Sequence, residues 1–199
     1  MKNLLVILDN GHGVETKGKC SPDKRLMEYK WSREFVYRLT AELIKYNIPV
    51  HILVPESADI SLAERVSRAN TVAQNFKNYG YESVLISIHN NAAGDGSKWC
   101  NANGWTCWVY KKASEKSRKL AGYMGQEAER LNLEGNRYIP ERRYFEANYY
   151  ILKNTSMPAV LTENMFQDNR EDVDFLLSAE GVEKLVELHL EAILSYMND

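Results

Sequence analysis

The sequence has little cysteine and almost no net charge. Its 199 residues include three cysteines, Cys20, Cys100 and Cys107, and their odd number argues against a full disulfide framework. No CxxC or CxxH spacing occurs, so a zinc-finger site is not expected. A formal net charge of −2 gives no indication of nucleic acid as the main partner. We therefore expect free thiols, although Cys100 and Cys107 flank the stretch NANGWT and could pair across a turn.

Long apolar runs are also missing. The longest, LLVIL and PAVL, fall far short of the ~20 residues that a membrane-spanning helix needs, so no membrane segment is expected. The opening stretch MKNLLVILDNG begins like a signal peptide, but it lacks a full apolar region and a small-residue cleavage site. We interpret it as a first β-strand and expect no signal peptide in this chain.

Short apolar runs alternate with helical patterns, which predicts a single α/β domain over residues 1–199 with a mostly parallel sheet. Apolar runs predict the strands, and apolar side chains spaced three and four apart predict the helices. The region 132–150 is predicted to be irregular and is rich in arginine and tyrosine. The predicted strands are Leu4–Leu8, Val50–Val54, Ser83–Ile88, Trp105–Tyr110 and Ala159–Thr162, and the predicted helices are Trp31–Tyr46, Leu62–Phe76, Ser114–Leu131 and Val182–Ile193.

Three of the predicted strands run directly into polar residues. The first is followed by Asp-Asn-Gly-His ending at His12, the third by His89-Asn-Asn, and the last by Glu163-Asn. Sites in open α/β sheets form outside the carboxyl ends of the strands. If these strands are parallel, His12, His89 and Glu163 meet at one edge of the sheet although they lie far apart along the chain.

Two histidines and a carboxylate at one sheet edge suit zinc. Imidazole nitrogen and carboxylate oxygen are common zinc ligands, and catalytic zinc keeps three protein ligands plus a water. A further carboxylate is then needed as general base, because the bound water must lose a proton when it attacks. Candidates near the first turn are Asp9, Glu15, Asp23 and Glu28, and periodicity does not distinguish among them.

Four stretches together resemble a known enzyme family. LDNGHG, LAERVSRAN, SIHNNAAG and PAVLTENMFQDN are similar to segments of the zinc-dependent N-acetylmuramoyl-L-alanine amidases of the Amidase_3 class, and the resemblance extends from residue 5 to about 177. It implies a three-layer α/β fold with a sheet of about six strands flanked by helices. It also implies hydrolysis of the amide that joins the lactyl group of N-acetylmuramic acid to the L-alanine of a peptidoglycan stem peptide.

Carried over position by position, the resemblance implies Zn2+ ligands at His12, Glu28 and His89 and a catalytic glutamate at Glu163. Glu28 lies in RLMEYKWSREF, where the family places its ligand glutamate at the head of the first helix. Glu163 would take a proton from the zinc-bound water and pass it to the leaving amine. The chain departs from the family in its asparagine before GHG, where proline is frequent, and in the longer, more aromatic loop DGSKWCNANGWT.

The tryptophans and arginines near these motifs have two interpretations each. Trp99, Trp105 and Trp108 either pack within a hairpin or form an aromatic wall for sugar or peptide. The arginines before the last strand either belong to a charged surface loop or bind stem-peptide carboxylates through bidentate contacts. These arginines are Arg137, Arg142 and Arg143.

The remaining histidines and two helical arginines are expected to be structural. His51 lies inside the run VHILV, and His189 lies on the apolar stripe of the last helix, where a partly buried packing role is expected. Arg65 and Arg68 are expected on a solvated or ion-paired helix face.

These observations predict a monomeric amidase that acts on the bacterial cell wall with peptidoglycan as its partner. A phage endolysin fits, and a truncated bacterial autolysin would look the same. Two alternatives stay open. One is another zinc peptidase on a similar fold, such as a carboxypeptidase or aminopeptidase. The other is a non-catalytic wall-binding protein that kept the fold, although the intact His12, Glu28, His89 and Glu163 argue against it.

Overall fold

Strands and helices alternate along the chain, and the computed structural model, which describes residues 3–199, arranges them as a six-stranded sheet covered by helices on both faces. The predicted three-layer α/β fold is confirmed. The strands are β1 (Leu4–Asn10), β2 (Val50–Ile52), β3 (Glu82–Asn91), β4 (Thr106–Tyr110), β5 (Phe145–Ala147) and β6 (Ala159–Phe166), and the helices are α1 (Glu28–Lys45), α2 (Leu62–Lys77), α3 (Glu115–Arg130), α4 (Tyr150–Asn154), α5 (Arg170–Leu177) and α6 (Ala179–Asn198).

The sheet is mostly parallel, in the order β2-β1-β3-β6-β4-β5. β1 pairs in parallel with β2 and β3, and β3 pairs in parallel with β6. β4 runs antiparallel to β6, and β5 pairs in parallel with β4 at the edge. Because β1, β3 and β6 are adjacent and parallel, the polar residues at their carboxyl ends share one edge of the sheet.

The central strands are buried on both faces, which explains why the first strand is an unbroken apolar run. Along β1, Leu4, Val6 and Leu8 contact a core cluster that includes side chains of α1, α3 and α6. Leu5 and Ile7 contact a second cluster that includes side chains of α2 and α4. Alternate residues of a strand point to opposite faces, so β1 connects both halves of the core. Within residues 3–199, none of the helices combines the length and the apolar character of a membrane span.

Several predicted boundaries differ from the structure because polar residues occupy buried positions. α1 begins at Glu28 rather than at Trp31, since the apolar pattern does not reveal a fully buried glutamate in the first turn. β3 and β6 extend through the polar residues that follow their apolar runs, so His89 and Glu163 lie inside strands rather than in turns. The region 132–150 contains β5 and reaches the start of α4, and both elements are too short to show a periodicity.

The three cysteines are free thiols, so the pairing of Cys100 with Cys107 is not formed. Cys107 points into the larger core cluster, and burial raises the pKa of its thiol well above the usual range. Cys100 lies in the loop before β4, where its Sγ is 3.8 Å from the carbonyl oxygen of Lys98. The two thiols therefore belong to different environments, one in the core and one in a surface loop.

Candidate metal centre

The first turn of the chain places a histidine at the edge of the sheet. After β1 ends at Asn10, the backbone N–H of Gly11 donates to the carbonyl oxygen of Ile88 at 2.9 Å, so the chain still follows β3. His12 then adopts a left-handed backbone conformation with φ of 60°, which is uncommon for a residue with a side chain. A Cβ atom on Gly11 would lie 2.5 Å from the ring of His89. The GHG sequence therefore allows two imidazoles to approach each other.

Glu28 joins these two imidazoles. Its Oε1 lies 3.0 Å from His89 Nδ1 and 3.4 Å from His12 Nε2. The same oxygen accepts a hydrogen bond from the backbone N–H of Asn90 at 3.0 Å. One potential ligand atom from each of the three side chains lies within 4.8 Å of the other two. The structure thus brings together the three residues that the resemblance implied as ligands.

The second carboxylate oxygen of Glu28 is unsatisfied. Oε2 is buried and has no hydrogen-bond partner within residues 3–199, and the Nζ of Lys19 is 3.9 Å away. A buried carboxylate is unfavourable unless a cation compensates it. Ligand atoms around a tetrahedral zinc ion with bonds of about 2.0–2.1 Å lie roughly 3.3 Å apart. The separations of 3.4 and 3.0 Å from Glu28 Oε1 to His12 and His89 are close to this spacing, so the triad fits zinc.

Charge interactions keep Glu28 ionised. Burial alone raises the pKa of Glu28, but hydrogen bonds from His12 and His89 outweigh it and hold that pKa well below its usual range. Burial lowers the pKa of His89, and the hydrogen bond with Glu28 more than compensates, so the pKa of His89 is raised. Glu28 is therefore a carboxylate at neutral pH, which is the state that a metal ligand requires.

Glu163 lies beside the triad. It is the register partner of His89 in the parallel pairing of β3 and β6. Within the described chain, the converging group of ligand atoms comprises His12, Glu28 and His89 and does not include Glu163. Residue types alone left open which carboxylate joins the two histidines, and in the structure the buried Glu28 is the one that converges with them. Burial raises the pKa of Glu163 to about 7, and its Oε2 accepts no hydrogen bond within residues 3–199.

The other carboxylates considered near the first turn have partners of their own. Glu15 accepts a hydrogen bond from a backbone N–H at 3.0 Å. Asp23 accepts from the guanidinium of Arg25 at 2.7 Å. Asp9 is buried and paired with an arginine of α2. These contacts leave Glu28 as the carboxylate of the first turn region that faces both histidines.

Arg65 was expected on a solvated or ion-paired helix face; the structure confirms an ion pair, with Asp9, but buries it. Its Nη1 donates to Asp9 Oδ1 at 2.7 Å and to the carbonyl oxygen of Asn10 at 2.6 Å. Ser87 donates to the other carboxylate oxygen of Asp9 at 2.6 Å. Arg65 Nη2 donates to the carbonyl oxygen of His12 at 3.4 Å. These contacts connect α2 to the turn that carries His12, a role that residue type and spacing did not predict.

The other two histidines take no part in the ligand group of the described chain. His51 is half-buried in β2. His189 is fully buried in α6, more deeply than predicted, with Nδ1 2.7 Å from the carbonyl oxygen of Leu185 and Nε2 3.1 Å from Thr162 Oγ1. The contacts and burial of His189 confirm its expected structural role.

A cavity of about 710 Å³ opens over the carboxyl edge of the sheet. Its lining includes His12, His89 and Glu163 together with Tyr149 and Tyr150. The two tyrosines are 36% and 46% exposed, so their rings offer aromatic surface to a bound molecule. The imidazoles, the glutamate and the aromatic rings therefore face one common space.

The tryptophans pack within the protein rather than along this cavity. Trp105 is buried and donates from Nε1 to Asn164 Oδ1 at 3.0 Å. Trp108 stacks on Phe145 with ring centroids 4.8 Å apart, and its ring meets that of Tyr149 at 5.6 Å. Within the part of the chain that the structure describes, the residues lining the cavity include no tryptophan. The tryptophans therefore do not form the aromatic wall, and the aromatic surface of the cavity comes from Tyr149 and Tyr150.

Sequence and structure comparisons place this chain within a known family. The sequence profile of Amidase_3, described as N-acetylmuramoyl-L-alanine amidase, matches residues 6–195. The chain belongs to this family. The crystal structure of the N-acetylmuramoyl-L-alanine amidase from Clostridium difficile 630 superposes with a TM-score of 0.82 at 26% sequence identity, covering 98% of this chain and 97% of that one. The resemblance stated from the four sequence stretches is confirmed.

Curated relatives of this Amidase_3 chain include a phage protein and a bacterial one. The endolysin of Bacillus phage SPP1 is 28% identical over 200 residues, which cover 98% of this chain and 66% of the relative. The N-acetylmuramoyl-L-alanine amidase CwlM of Bacillus licheniformis is 25% identical over 195 residues, which cover 97% of this chain and 68% of the relative. The chain spans about two thirds of the length of both relatives.

The departures of this Amidase_3 chain from the family pattern have structural roles. Asn10 is buried, and its Nδ2 donates to the carbonyl oxygen of Val54 at 2.9 Å, which joins the end of β1 to the segment after β2. In the long loop over residues 95–106, the backbone N–H of Cys100 donates to the carbonyl oxygen of Asp168 at 2.7 Å. The loop is therefore anchored to the segment that follows β6.

Proposed function

We propose that this protein is a zinc-dependent N-acetylmuramoyl-L-alanine amidase that hydrolyses the amide between the lactyl group of N-acetylmuramic acid and the L-alanine of peptidoglycan stem peptides. The observation that carries the proposal is the buried carboxylate of Glu28, with Oε1 3.4 Å from His12 Nε2 and 3.0 Å from His89 Nδ1. Family membership supports the reaction class. The donor set and its spacing support zinc as the metal.

In this proposal His12, Glu28 and His89 hold the ion. When bound, zinc lowers the pKa of a water molecule to about 7 and polarises the scissile carbonyl. The hydrogen bond from the backbone N–H of Asn90 fixes the orientation of the Glu28 carboxylate, as contacts behind metal ligands commonly do. The missing side chain of Gly11 leaves room for the His89 ring. The chain's own contribution is therefore a preorganised set of ligands.

Glu163 is the proposed catalytic residue. It lines the cavity next to His89 in the sheet register, within the region where the substrate amide would lie. Because burial raises its pKa to about 7, it can take a proton from the attacking water and return it to the leaving amine nitrogen near neutral pH. General acid–base catalysis of this kind typically contributes about 10²- to 10⁴-fold.

We propose peptidoglycan as the partner and the bacterial cell wall as the place of action. The names of the relatives, an endolysin and an N-acetylmuramoyl-L-alanine amidase, support this assignment. Residues 1–199 would form one catalytic domain that acts as a monomer, and both a phage endolysin and a bacterial autolysin are compatible with it. The single sheet with a core on each face supports one domain.

Product analysis on purified muropeptides tests the function. The zinc-loaded protein is incubated with disaccharide peptides, and the products are identified by mass spectrometry. We expect free lactyl carboxyl groups together with peptides that begin with alanine. Glu163→Gln should remove this activity, whereas Glu34→Gln, which changes an exposed glutamate of α1, should retain it.

Other products would contradict the proposal in recognisable ways. Release of single amino acids from a peptide end would indicate a carboxypeptidase or an aminopeptidase. Binding of peptidoglycan without turnover by the zinc-loaded protein would indicate a non-catalytic wall-binding protein. Full activity after complete removal of zinc would contradict the metal assignment alone.

A further inference from the structure

The three arginines before β6 differ in their partners. Arg142 Nη1 lies 3.6 Å from Glu146 Oε1, and Arg143 Nε donates to Glu129 Oε2 at 2.7 Å. Arg137, in contrast, has no ion pair and no hydrogen bond within residues 3–199. Two of the three positive charges are therefore paired with carboxylates, and that of Arg137 is available.

Two aromatic rings hold the guanidinium of Arg137. Its Cζ lies 5.6 Å from the ring centroid of Phe145 and 5.6 Å from that of Phe166. Phe166 is the last residue of β6, and Phe145 is the first residue of β5. Aromatic faces attract a cation and do not use up its N–H donors as carboxylates do. The guanidinium is thus positioned near the carboxyl end of β6 with its five N–H donors free.

Arg137 lies beside the cavity rather than in its lining, because the Phe145 ring that it contacts stacks on Trp108, whose ring meets that of the cavity-lining Tyr149 at 5.6 Å. Burial raises the pKa of Glu163 and of Tyr149, and Arg137 is among the groups that oppose the rise at both residues. Both residues line the cavity. Lys19 also lines it, but its Nζ lies 3.9 Å from Glu28 Oε2 and is associated with the triad. Arg65 lines the cavity too, but it is paired with Asp9 at 2.7 Å. Arg137 is therefore a further cation at this edge of the sheet, and it has no carboxylate of its own within residues 3–199.

We propose that Arg137 binds a carboxylate on the peptide side of the scissile amide and makes the enzyme discriminate between free and amidated stem peptides. The inference rests on the proposed function, because it assigns a subsite for that substrate. A planar guanidinium matches the two oxygens of a carboxylate through parallel hydrogen bonds. The rings of Phe145 and Phe166 hold the guanidinium in place and limit its loss of side-chain freedom on binding.

A carboxamide cannot replace the carboxylate at such a subsite. It has no charge, and it presents one oxygen acceptor beside an NH2 group that donates toward the guanidinium. Amidation of the substrate and loss of Arg137 therefore remove the same interaction. The two changes should not be additive, which is the signature of a direct contact.

The test compares two synthetic muropeptides that differ only in a carboxylate or a carboxamide on the residue after L-alanine. Kinetics are measured for the wild type, Arg137→Gln, Arg137→Lys and the control Arg142→Gln. For Arg137→Gln we expect kcat/KM to fall about 10- to 100-fold on the carboxylate substrate, mainly through KM, and to stay unchanged on the carboxamide. Arg137→Lys should be intermediate, and Arg142→Gln should affect neither substrate by more than about twofold.

Equal losses on both substrates, or no loss on either, would overturn the inference and leave the amidase function intact. Partial unfolding of Arg137→Gln does not obscure the result, because the ratio of kcat/KM for the two substrates is independent of the folded fraction. If the wild type releases alanine-terminated peptide from neither substrate, the proposed function itself fails, and the inference fails with it.

Discussion

Arg65 donates a hydrogen bond to Asp9 across 2.7 Å, and neither side chain is more than 3% exposed. This buried pair joins α2 to the end of β1, close to the turn that carries His12. Removing one member of a buried ion pair typically costs about 3–5 kcal/mol, because the other charge is left uncompensated. We therefore expect Arg65→Met to lower the free energy of unfolding by about that amount, measured by urea denaturation of the zinc-free protein.

Arg68→Met is the matched control for this prediction. Arg68 lies on the same helix and pairs with Glu56 and Glu64, but all three side chains are partly exposed. Exposed pairs contribute about 0–1 kcal/mol, so the control should be close to the wild type. Similar losses of unfolding free energy for both variants would show that burial of the Arg65–Asp9 pair is not the source of its contribution to stability.

Arg65 also shows which part of the site the sequence cannot predict. It lies four residues before Ala69 and eight before Ala73, which are both buried, so its spacing indicates the inward face of the helix, whereas its residue type favours exposure. The conflict is resolved by acceptors of another part of the chain, chiefly the carboxylate of Asp9 and the carbonyl oxygen of Asn10, which lie opposite Arg65 in the folded protein. Glu28 was ambiguous for the same reason, and the family resemblance, not periodicity, selected it as a ligand.

The rest of the fold was predictable where a run or periodic spacing of apolar residues is long enough to be recognised. The apolar runs of β1, β3 and β6 predicted parallel strands, and that arrangement correctly placed His12, His89 and Glu163 at one sheet edge. β5 and α4 contain three and five residues, too few for a period to be recognised. β4 pairs with β6 in the antiparallel direction. The apolar pattern of β4 alone does not predict its direction, because the direction depends on the partner strand.

The close approach of the His89 ring to the backbone of Gly11 predicts how a side chain at this position affects zinc binding. A Cβ atom there would lie 2.5 Å from the ring of His89, so Gly11→Ala should displace this imidazole. We expect zinc affinity to fall about 10- to 100-fold, the usual range when the support of a ligand is disturbed, measured by competition with a chelator.

Gly122→Ala provides the contrast for Gly11→Ala. Gly122 lies in the middle of α3, and a Cβ atom added there would meet no neighbouring atom within 4 Å among the described residues. This variant should stabilise the protein by about 0.5–1 kcal/mol and leave zinc affinity unchanged. Unaltered zinc affinity in Gly11→Ala would mean that the His89 ring has another acceptable position.

The separation of Glu163 from the ligand triad gives a third prediction. Glu163→Ala should bind zinc like the wild type and lose turnover, whereas His89→Ala should lose both zinc and turnover. Zinc content is measured by metal analysis, and turnover is measured with muropeptides. Chelation of the wild type should abolish activity and zinc addition should restore it. Cleavage at the normal rate by Glu163→Ala would contradict the catalytic role assigned to this residue.

His189 predicts how stability depends on pH. Burial lowers the pKa of its imidazole to about 4, against a hydrogen bond to Leu185 that acts in the opposite direction. In the unfolded chain a histidine has a pKa of about 6.5. Between pH 6.5 and 4 the unfolded state therefore binds a proton that the folded state excludes, so the free energy of unfolding falls as the pH falls. A shift of this size corresponds to a loss of about 2–4 kcal/mol across that range.

His189→Gln should remove this part of the pH dependence. Glutamine can still contact Leu185 and Thr162 but does not titrate. The unfolding free energy of the His189→Gln protein should therefore change less than that of the wild type between pH 6.5 and 4. Urea denaturation of the zinc-free proteins at several pH values measures the difference, in which all titrations common to the two proteins cancel. Parallel pH profiles for the two proteins would show that His189 is protonated in the folded state, contrary to its burial.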